Sequence, residues 1–257
     1  MVRFRKVSYC EIETLREQYF TAIYEAQELF LELIVKTADY YIIEQEEAVG
    51  YFIISPQNQL VEYYLINSCI KDCQSLFAKI TIEFNFETVY CKSFDSILLK
   101  CCLKYAVSYK VIGTLFRDYT PTSVDVINDF DIKKAIDSDI PLLLQQTDEL
   151  YESEDELFTM VKNGNILMYC RDSNLIGCGF LIKVIDNRNI YDIGMWVKSA
   201  FRKKGFATKI VAHLKGYCLD NSLIPICGCA ADNLASRKTL EKNGFFSKHD
   251  LIEFQIK

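Results

Sequence analysis

Histidine is nearly missing from this chain. His213 and His249 are the two among 257 residues, so a metal centre built on imidazole has few ligands to draw on. Long apolar runs are missing as well. No window approaches the roughly 18 uninterrupted apolar residues of a spanning helix, and the most apolar stretch, ELFLELIVKTADYYII, is broken by Glu32, Lys36 and Asp39. A secretory leader is not expected either, since MVRFRKVSYCEIETL runs into Glu11, Glu13, Arg16 and Glu17 rather than an apolar core. An excess of positive charge is lacking: 29 Lys and Arg against 35 Asp and Glu give a net charge of -6, which argues against nucleic acid as a partner. These absences predict a cytoplasmic protein with neither membrane nor nucleic-acid partners, leaving a homodimer open.

Cysteine is abundant but unpatterned. The eleven are an odd, scattered set, with Cys101 and Cys102 adjacent and Cys227 and Cys229 one residue apart. Neither spacing suits a disulfide framework or a zinc knuckle. They read as small buried hydrophobes in a reducing compartment, and no metal is expected.

What is present is an internal repeat. FDIKKAIDSDIPLLL (Phe130 to Leu144) lies over VRFRKVSYCEIETLR (Val2 to Arg16). YYIIEQEEAVGYFII (Tyr40 to Ile54) matches LMYCRDSNLIGCGFL (Leu167 to Leu181), placing Gly50 on Gly177 and Glu44 to Glu47 on Arg171 to Asn174. LVEYYLI then lies over IYDIGMW, with Glu62 on Asp192. VYCKSFDSILLKCCLKYA lies over ICGCAADNLASRKTLEKN, with Asp95 on Asp232 and Leu103 on Leu240. The matches alternate between strand-helix and hairpin grammar. They predict two copies of one α/β unit over residues 1–120 and 129–257, with a boundary near Arg117 to Asn128. Ser153 with Glu156 predicts a capped helix over LFTMVK that Gly164 closes.

The copies differ at one place. MWVKSAFRKKGFATKIVAHLKGYC reads as a strand, a basic loop and a helix whose apolar positions Ile210, Val211, Leu214 and Tyr217 recur at helical spacing. A glycine at such a junction lets backbone amides converge, and the helix dipole adds positive potential, a combination that suits phosphate. Read alone, the loop is also compatible with a solvated basic turn capping an ordinary helix. The first copy has about seven fewer residues there and no such loop.

RKKGFAT after an apolar strand resembles the pyrophosphate loop of the GCN5-related N-acetyltransferases, the GNAT family. IKKAIDSDIPLLL looks like that family's opening strand and helix, and DNLASRKTLEKNGFF like its closing helix. The resemblance implies an α/β fold of two GNAT-like units, each a mixed central sheet flanked by helices, the first degenerate and the second binding acetyl-CoA. By the same resemblance Arg202, Lys203, Lys204, Gly205, Phe206, Ala207 and Thr208 hold the pyrophosphate. Met195, Trp196 and Val197, with Asn233 and Ser236, line the pantetheine arm between two splayed strands, Ile190 to Val197 and Ile226 to Ala230. Gly194 is the expected place for a strand irregularity that frees an amide, or else a glycine kept for close packing. Trp196 is read as a core residue first and a wall of the acyl pocket second.

The implied activity is acetyl transfer to a primary amine of a small-molecule acceptor. Asp192 is the candidate base, with a plain surface carboxylate as its alternative. The family often has a Tyr seven positions after the Asn as acid toward the leaving thiolate. Leu240 stands there, so Tyr217 or Ser236 is the candidate replacement. Leu240 also motivates the second reading, a non-catalytic acyl-CoA sensor or scaffold. Tyr63 and Tyr64 of the first copy are expected to offer ring surface to the acceptor.

Overall fold

The computed structural model describes residues 2–122, 130–147, 150–151 and 153–256. The chain runs twice through one order of elements. The first pass is β1 (Arg3–Val7), α1 (Tyr9–Ala22), α2 (Leu29–Val35), β2 (Asp39–Glu44), β3 (Ala48–Ile54), β4 (Gln59–Leu65), α3 (Cys73–Phe84), β5 (Thr88–Lys92), α4 (Ser96–Tyr105) and β6 (Ala106–Tyr119). The second is β7 (Asp131–Lys134), α5 (Ile140–Gln146), α6 (Glu154–Lys162), β8 (Ile166–Arg171), β9 (Asn174–Lys183), β10 (Ile190–Val197), α7 (Phe206–Asp220), β11 (Ile224–Ala230), α8 (Leu234–Lys242) and β12 (Phe245–Ile256). The expected boundary lies partly in residues 123–129, outside the described residues.

Two compact units form, and they do not coincide with the two passes. Unit 1 gathers Met1–Leu115, Cys229–Asp232 and Ser247–Lys257; unit 2 gathers Phe116–Gly228 and Asn233–Phe246. The last strand of the chain therefore serves unit 1, where Leu251 to Gln255 of β12 pair antiparallel with Lys92 to Thr88 of β5. In unit 1 the strands β1, β2, β3 and β4 pair antiparallel in succession and β4 pairs parallel with β5. In unit 2, β7, β8, β9 and β10 do the same, and β10 pairs parallel with β11. Each unit thus has a mixed sheet, with β4 and β5 parallel in unit 1 and β10 and β11 parallel in unit 2.

Local signals account for the element ends. Ser153 Oγ accepts the Glu156 N–H at 3.1 Å, capping α6 as its sequence predicts, and Gly164 closes that helix at φ +68. The unit 1 core is aromatic and thiol-rich, with Phe52, Tyr63, Phe77, Cys91, Cys101, Cys102 and Phe254 in one cluster. In unit 2, Leu143, Leu157 and Val161 of the helices pack on Ile166, Met168, Cys178 and Trp196 of the sheet.

The ladders correct two details of the repeat. Gly50 faces Leu65 and Gly177 faces Val197. With those glycines matched, Glu62, opposite Ile53, corresponds to Gly194, opposite Phe180, and not to Asp192. A two-residue slip leaves every side chain on the same face, so apolar alternation cannot reveal it. The helix caps reveal a second slip. Asp95 Oδ1 accepts the Leu98 N–H at 3.1 Å and Asn233 Oδ1 accepts the Ser236 N–H at 3.0 Å. Asp95 therefore corresponds to Asn233 rather than Asp232, and buried Leu240 to buried Cys102 rather than to exposed Leu103.

Candidate functional site

Hydrogen-bond parity along β10 defines the site. The Val184 N–H donates to Ile190 O and the Lys198 N–H to Ile176 O, both at 3.0 Å, so even-numbered residues of β10 exchange bonds with β9. The odd-numbered amides face β11. The ladder to β11 runs from Ile190↔Ile224 to Asp192↔Ile226 and stops, although both strands continue. The amides of Met195 and Val197 are left facing the gap between the two strands. No bulge is needed: pairing with β9 is continuous through Gly194↔Phe180. Gly194 serves close packing, since an added Cβ would lie 3.3 Å from the Phe180 ring.

At the open end of this gap the chain turns into α7. Lys203 and Gly205 take positive φ, +60 and +85, and Gly205 is the residue before the first turn of α7, with no side chain to cap it. The first-turn amides of Phe206, Ala207 and Thr208 are left for an outside acceptor. A Cβ added to Gly205 meets nothing within 4 Å, so it is the positive φ and not close packing that favours glycine there. Arg202 braces the turn: its Nε donates to Val197 O at 2.9 Å. Lys204 Nζ donates to Ala200 O at 3.0 Å.

A brace behind the loop was not legible in the sequence. Asn243, fully buried, donates through Nδ2 to Thr208 O at 3.2 Å and to Thr239 O at 2.9 Å. Lys215 Nζ, at the middle of α7, donates to Asn243 O at 2.7 Å and Thr120 O at 2.9 Å. Burial lowers the Lys215 ammonium below its usual value. These partners are 28 to 95 positions apart, so no local spacing signals them.

The expected catalytic residues are placed as follows. Asp192 stands at the last rung of the parallel ladder, where the gap opens. By alternation its side chain shares a sheet face with Gly194 and Trp196. Trp196 is 8% exposed and packs in the helix-sheet core, its structural reading. Asn233 and Ser236 meet at the first turn of α8, where the cap occupies Asn233 Oδ1 and leaves its amide nitrogen for other contacts. Tyr217 is 43% exposed, about 18 Å along α7 from Gly205. Leu240 is 1% exposed, a core side chain.

The corresponding region of unit 1 is closed. A tight turn, Asn67–Asp72, replaces the basic loop, and the parallel ladder stops at Leu60↔Val89. Tyr19, Tyr63, Tyr64 and Phe94 fill the space beyond, around a cavity of about 40 Å³. Tyr63 does not offer a ring face to a ligand; it is 1% exposed, with its hydroxyl donating to Cys73 O at 2.8 Å. Glu62 is also committed. It accepts from Arg16 Nε at 3.0 Å and Nη2 at 2.7 Å, from Gln27 at 2.7 Å and from the Tyr51 hydroxyl at 2.8 Å. Burial pushes the Glu62 carboxyl up, and Arg16 more than reverses it, leaving it below the usual value. At Glu32, the second partner of Arg16, burial wins and the carboxyl is raised.

An α/β unit whose parallel pair parts beside a glycine-turned helix start with uncapped amides is suited to a ligand that carries phosphate. Comparison with known proteins supplies the family. An acetyltransferase (GNAT) domain model matches residues 8–119, and an acetyltransferase (GNAT) family model matches residues 134–245. The chain belongs to the GNAT family and carries two of its domains in tandem.

An uncharacterized N-acetyltransferase, YjdG of Bacillus subtilis, is 32% identical over 81 residues, which are 31% of this chain. The match spans about half, 48%, of that curated relative. Among solved structures, a GNAT-family acetyltransferase from Colwellia psychrerythraea superposes with a TM-score of 0.88 at 18% identity, covering 99% of this chain and 100% of its own. A tandem GNAT protein from the clavulanic acid biosynthesis pathway superposes at 0.61 with 11% identity, covering 99% and 98%. At these identities the structures speak for the fold.

Proposed function

We propose that the chain is an N-acetyltransferase that moves an acetyl group from acetyl-CoA to a primary amine of a small-molecule acceptor, with unit 2 as its cofactor site. One observation carries this reading: the uncapped first turn of α7 stands beside the gap where the Met195 and Val197 amides lack a ladder partner. Phosphate suits the first and an amide-bearing pantetheine arm the second. Acetyl-CoA supplies the thioester carbonyl that the amine attacks.

The chain's own groups would do the rest. The Met195 N–H, fixed by the strand, donates to the carbonyl oxygen as negative charge grows there. A protonated amine with a pKa of about 10 has no lone pair, so Asp192, directly or through a water, takes its proton. No hydroxyl stands at Leu240, so Tyr217, Ser236 or a water would supply the proton that the leaving thiolate takes up.

The test is calorimetry with acetyl-CoA, followed by thiol release in the presence of polyamines, amino acids and aminoglycosides. One binding event per chain and amine-dependent thiol release are expected. Two sites per chain, or none, would overturn the assignment of the cofactor to unit 2. Saturable binding without release under any amine would instead favour an acyl-CoA sensor, the reading that buried Leu240 supports.

A further inference from the structure

Lys215 is a buried ammonium of unit 2 that meets no carboxylate among the described residues. Two backbone carbonyls, Asn243 O and Thr120 O, and two rings, Tyr119 at 4.8 Å and Phe245 at 5.2 Å, surround it instead. A cation drawn out of water without a counter-charge is costly to keep, and the reaction proposed above gives it no part. We propose that Lys215 and Asn243 are positioning residues for acetyl-CoA, holding the first turn of α7 so that the Phe206 amide points at the pyrophosphate. The proposal rests on the reading of unit 2 as the cofactor site and extends it to side chains that never touch the ligand.

The contacts form an unbroken chain. Lys215 Nζ fixes the Asn243-Gly244 turn by donating to Asn243 O, a carbonyl that also accepts from the Thr122 hydroxyl at 3.2 Å. Gly244, at φ +81, accepts from the Thr120 N–H at 2.9 Å. The Asn243 side chain then reaches Thr208 O through Nδ2. The N–H of that same peptide group, which belongs to Lys209, donates to Gly205 O at 3.3 Å. The peptide group of Gly205 O in turn carries the Phe206 N–H, the first of the uncapped amides of α7. Each hydrogen bond polarises the next peptide, so the Asn243 donor both orients and strengthens the amide at the far end.

The Asn243 side chain is turned for donation alone. Its Oδ1 is buried without a partner, whereas Nδ2 donates to both Thr208 O and Thr239 O. An orphaned acceptor costs stability, so the donors and not packing account for an amide at this place. Unit 1 keeps the tie but not the cation. Tyr105, ten residues past the cap Asp95 as Asn243 is past Asn233, donates from its hydroxyl to Gln74 O in the first turn of α3 at 3.1 Å. The single lysine of α3, Lys79, is exposed. The buried cation thus belongs to the unit that carries the basic loop.

The probes are acetyl-CoA and acetylpantetheine, which has the thioester arm but no pyrophosphate, titrated by calorimetry directly and in competition on the full chain. Asn243→Leu and Lys215→Met should each weaken acetyl-CoA binding about fivefold or more, the weight of one hydrogen bond, and leave acetylpantetheine within about twofold. Lys215→Arg keeps the charge and the donors and should recover part of the loss. Equal losses for the two ligands would assign both residues to the fold rather than to the pyrophosphate turn and overturn the proposal, as would unchanged acetyl-CoA affinity; the cofactor reading stands in either case. Where a variant does not fold, Asn243→Asp, which keeps the shape and lacks the amide donor, is read in its place by the same outcomes. A wild type that binds neither ligand overturns both readings.

Discussion

A Cβ built on Gly177 would overlap the carbonyl oxygen of Trp196 on the facing strand. Gly50 stands in the same relation to the Tyr64 carbonyl, so the two units share one steric constraint although little else in their β3 and β9 strands is identical. Neither glycine has a positive φ, and what excludes a side chain is backbone that cannot move without parting the sheet. Gly177→Ala should cost about 1–3 kcal/mol, in the manner of an overpacked core. Gly205→Ala meets open space and bears only the strain of its positive φ, about 1 kcal/mol. Urea midpoints of the two variants measure the difference; equal losses would sink the steric account.

In the proposed reaction Asp192, at the last rung of the β10–β11 ladder, takes the proton of the amine. Asp192→Asn should lower kcat/KM toward an accepted amine by about 10²-fold while leaving the acetyl-CoA Kd nearly unchanged. A variant with wild-type rates across pH 6 to 9 would place the base elsewhere.

In unit 1, Arg16 is the cation between two buried carboxylates, Glu32 and Glu62. Arg16→Met leaves both without it and should destabilise unit 1 by about 3–5 kcal/mol, the cost of orphaning a buried ion-pair partner. Arg16→Met combined with Glu62→Gln and Glu32→Gln should recover part of that loss in denaturant titrations. A triple variant no more stable than Arg16→Met would show that the effect is packing rather than charge.

His213 Nδ1 lies 2.7 Å from the Tyr169 hydroxyl, and burial holds its imidazole below the ordinary value. A folded pKa below the unfolded one, about 6.5, means that protons bind the unfolded chain better. The stability contributed by neutral His213 is present above that value and drains as pH falls through it toward the folded pKa. The wild type should therefore lose more Tm between pH 7.5 and 5.5 than His213→Gln. Parallel losses would refute the assignment.

The last strand ties chain order to folding. Leu251, Phe254 and Ile256 of β12 are buried, and the strand pairs with β5 of unit 1. Deleting Met1 to Tyr119 removes that partner and exposes a hydrophobic edge. The remaining fragment should aggregate by light scattering, whereas a soluble fragment with cooperative melting would show that β12 finds another partner.

Much was legible before any coordinates. The period of two in the strands and 3.6 in the helices, the cap at Ser153, the turn glycines and the repeat itself are local signals, because alternation, capping and φ preference each act within a few residues. These features determined two copies of one α/β unit and singled out RKKGFAT, while the mixed sheet was implied only by the family resemblance. Facing is recorded in such patterns, but register is not, since a slip of two along β4 or of one at a helix start leaves the apolar pattern nearly intact. Hence Glu62 falls on Gly194 rather than on Asp192.

What tertiary structure alone decided depends on partners far apart in the chain. It sent β12 to unit 1, freed the Met195 and Val197 amides by strand parity rather than by a bulge, and closed the unit 1 cleft with tyrosine rings. It also set Asn243 and Lys215 behind the loop. The sequence by itself determined which segments bend, alternate and cap, because those preferences belong to each residue and its neighbours. Which strand edge stays unpaired and which side chain meets which backbone oxygen depend on long-range packing, a property of the folded chain as a whole.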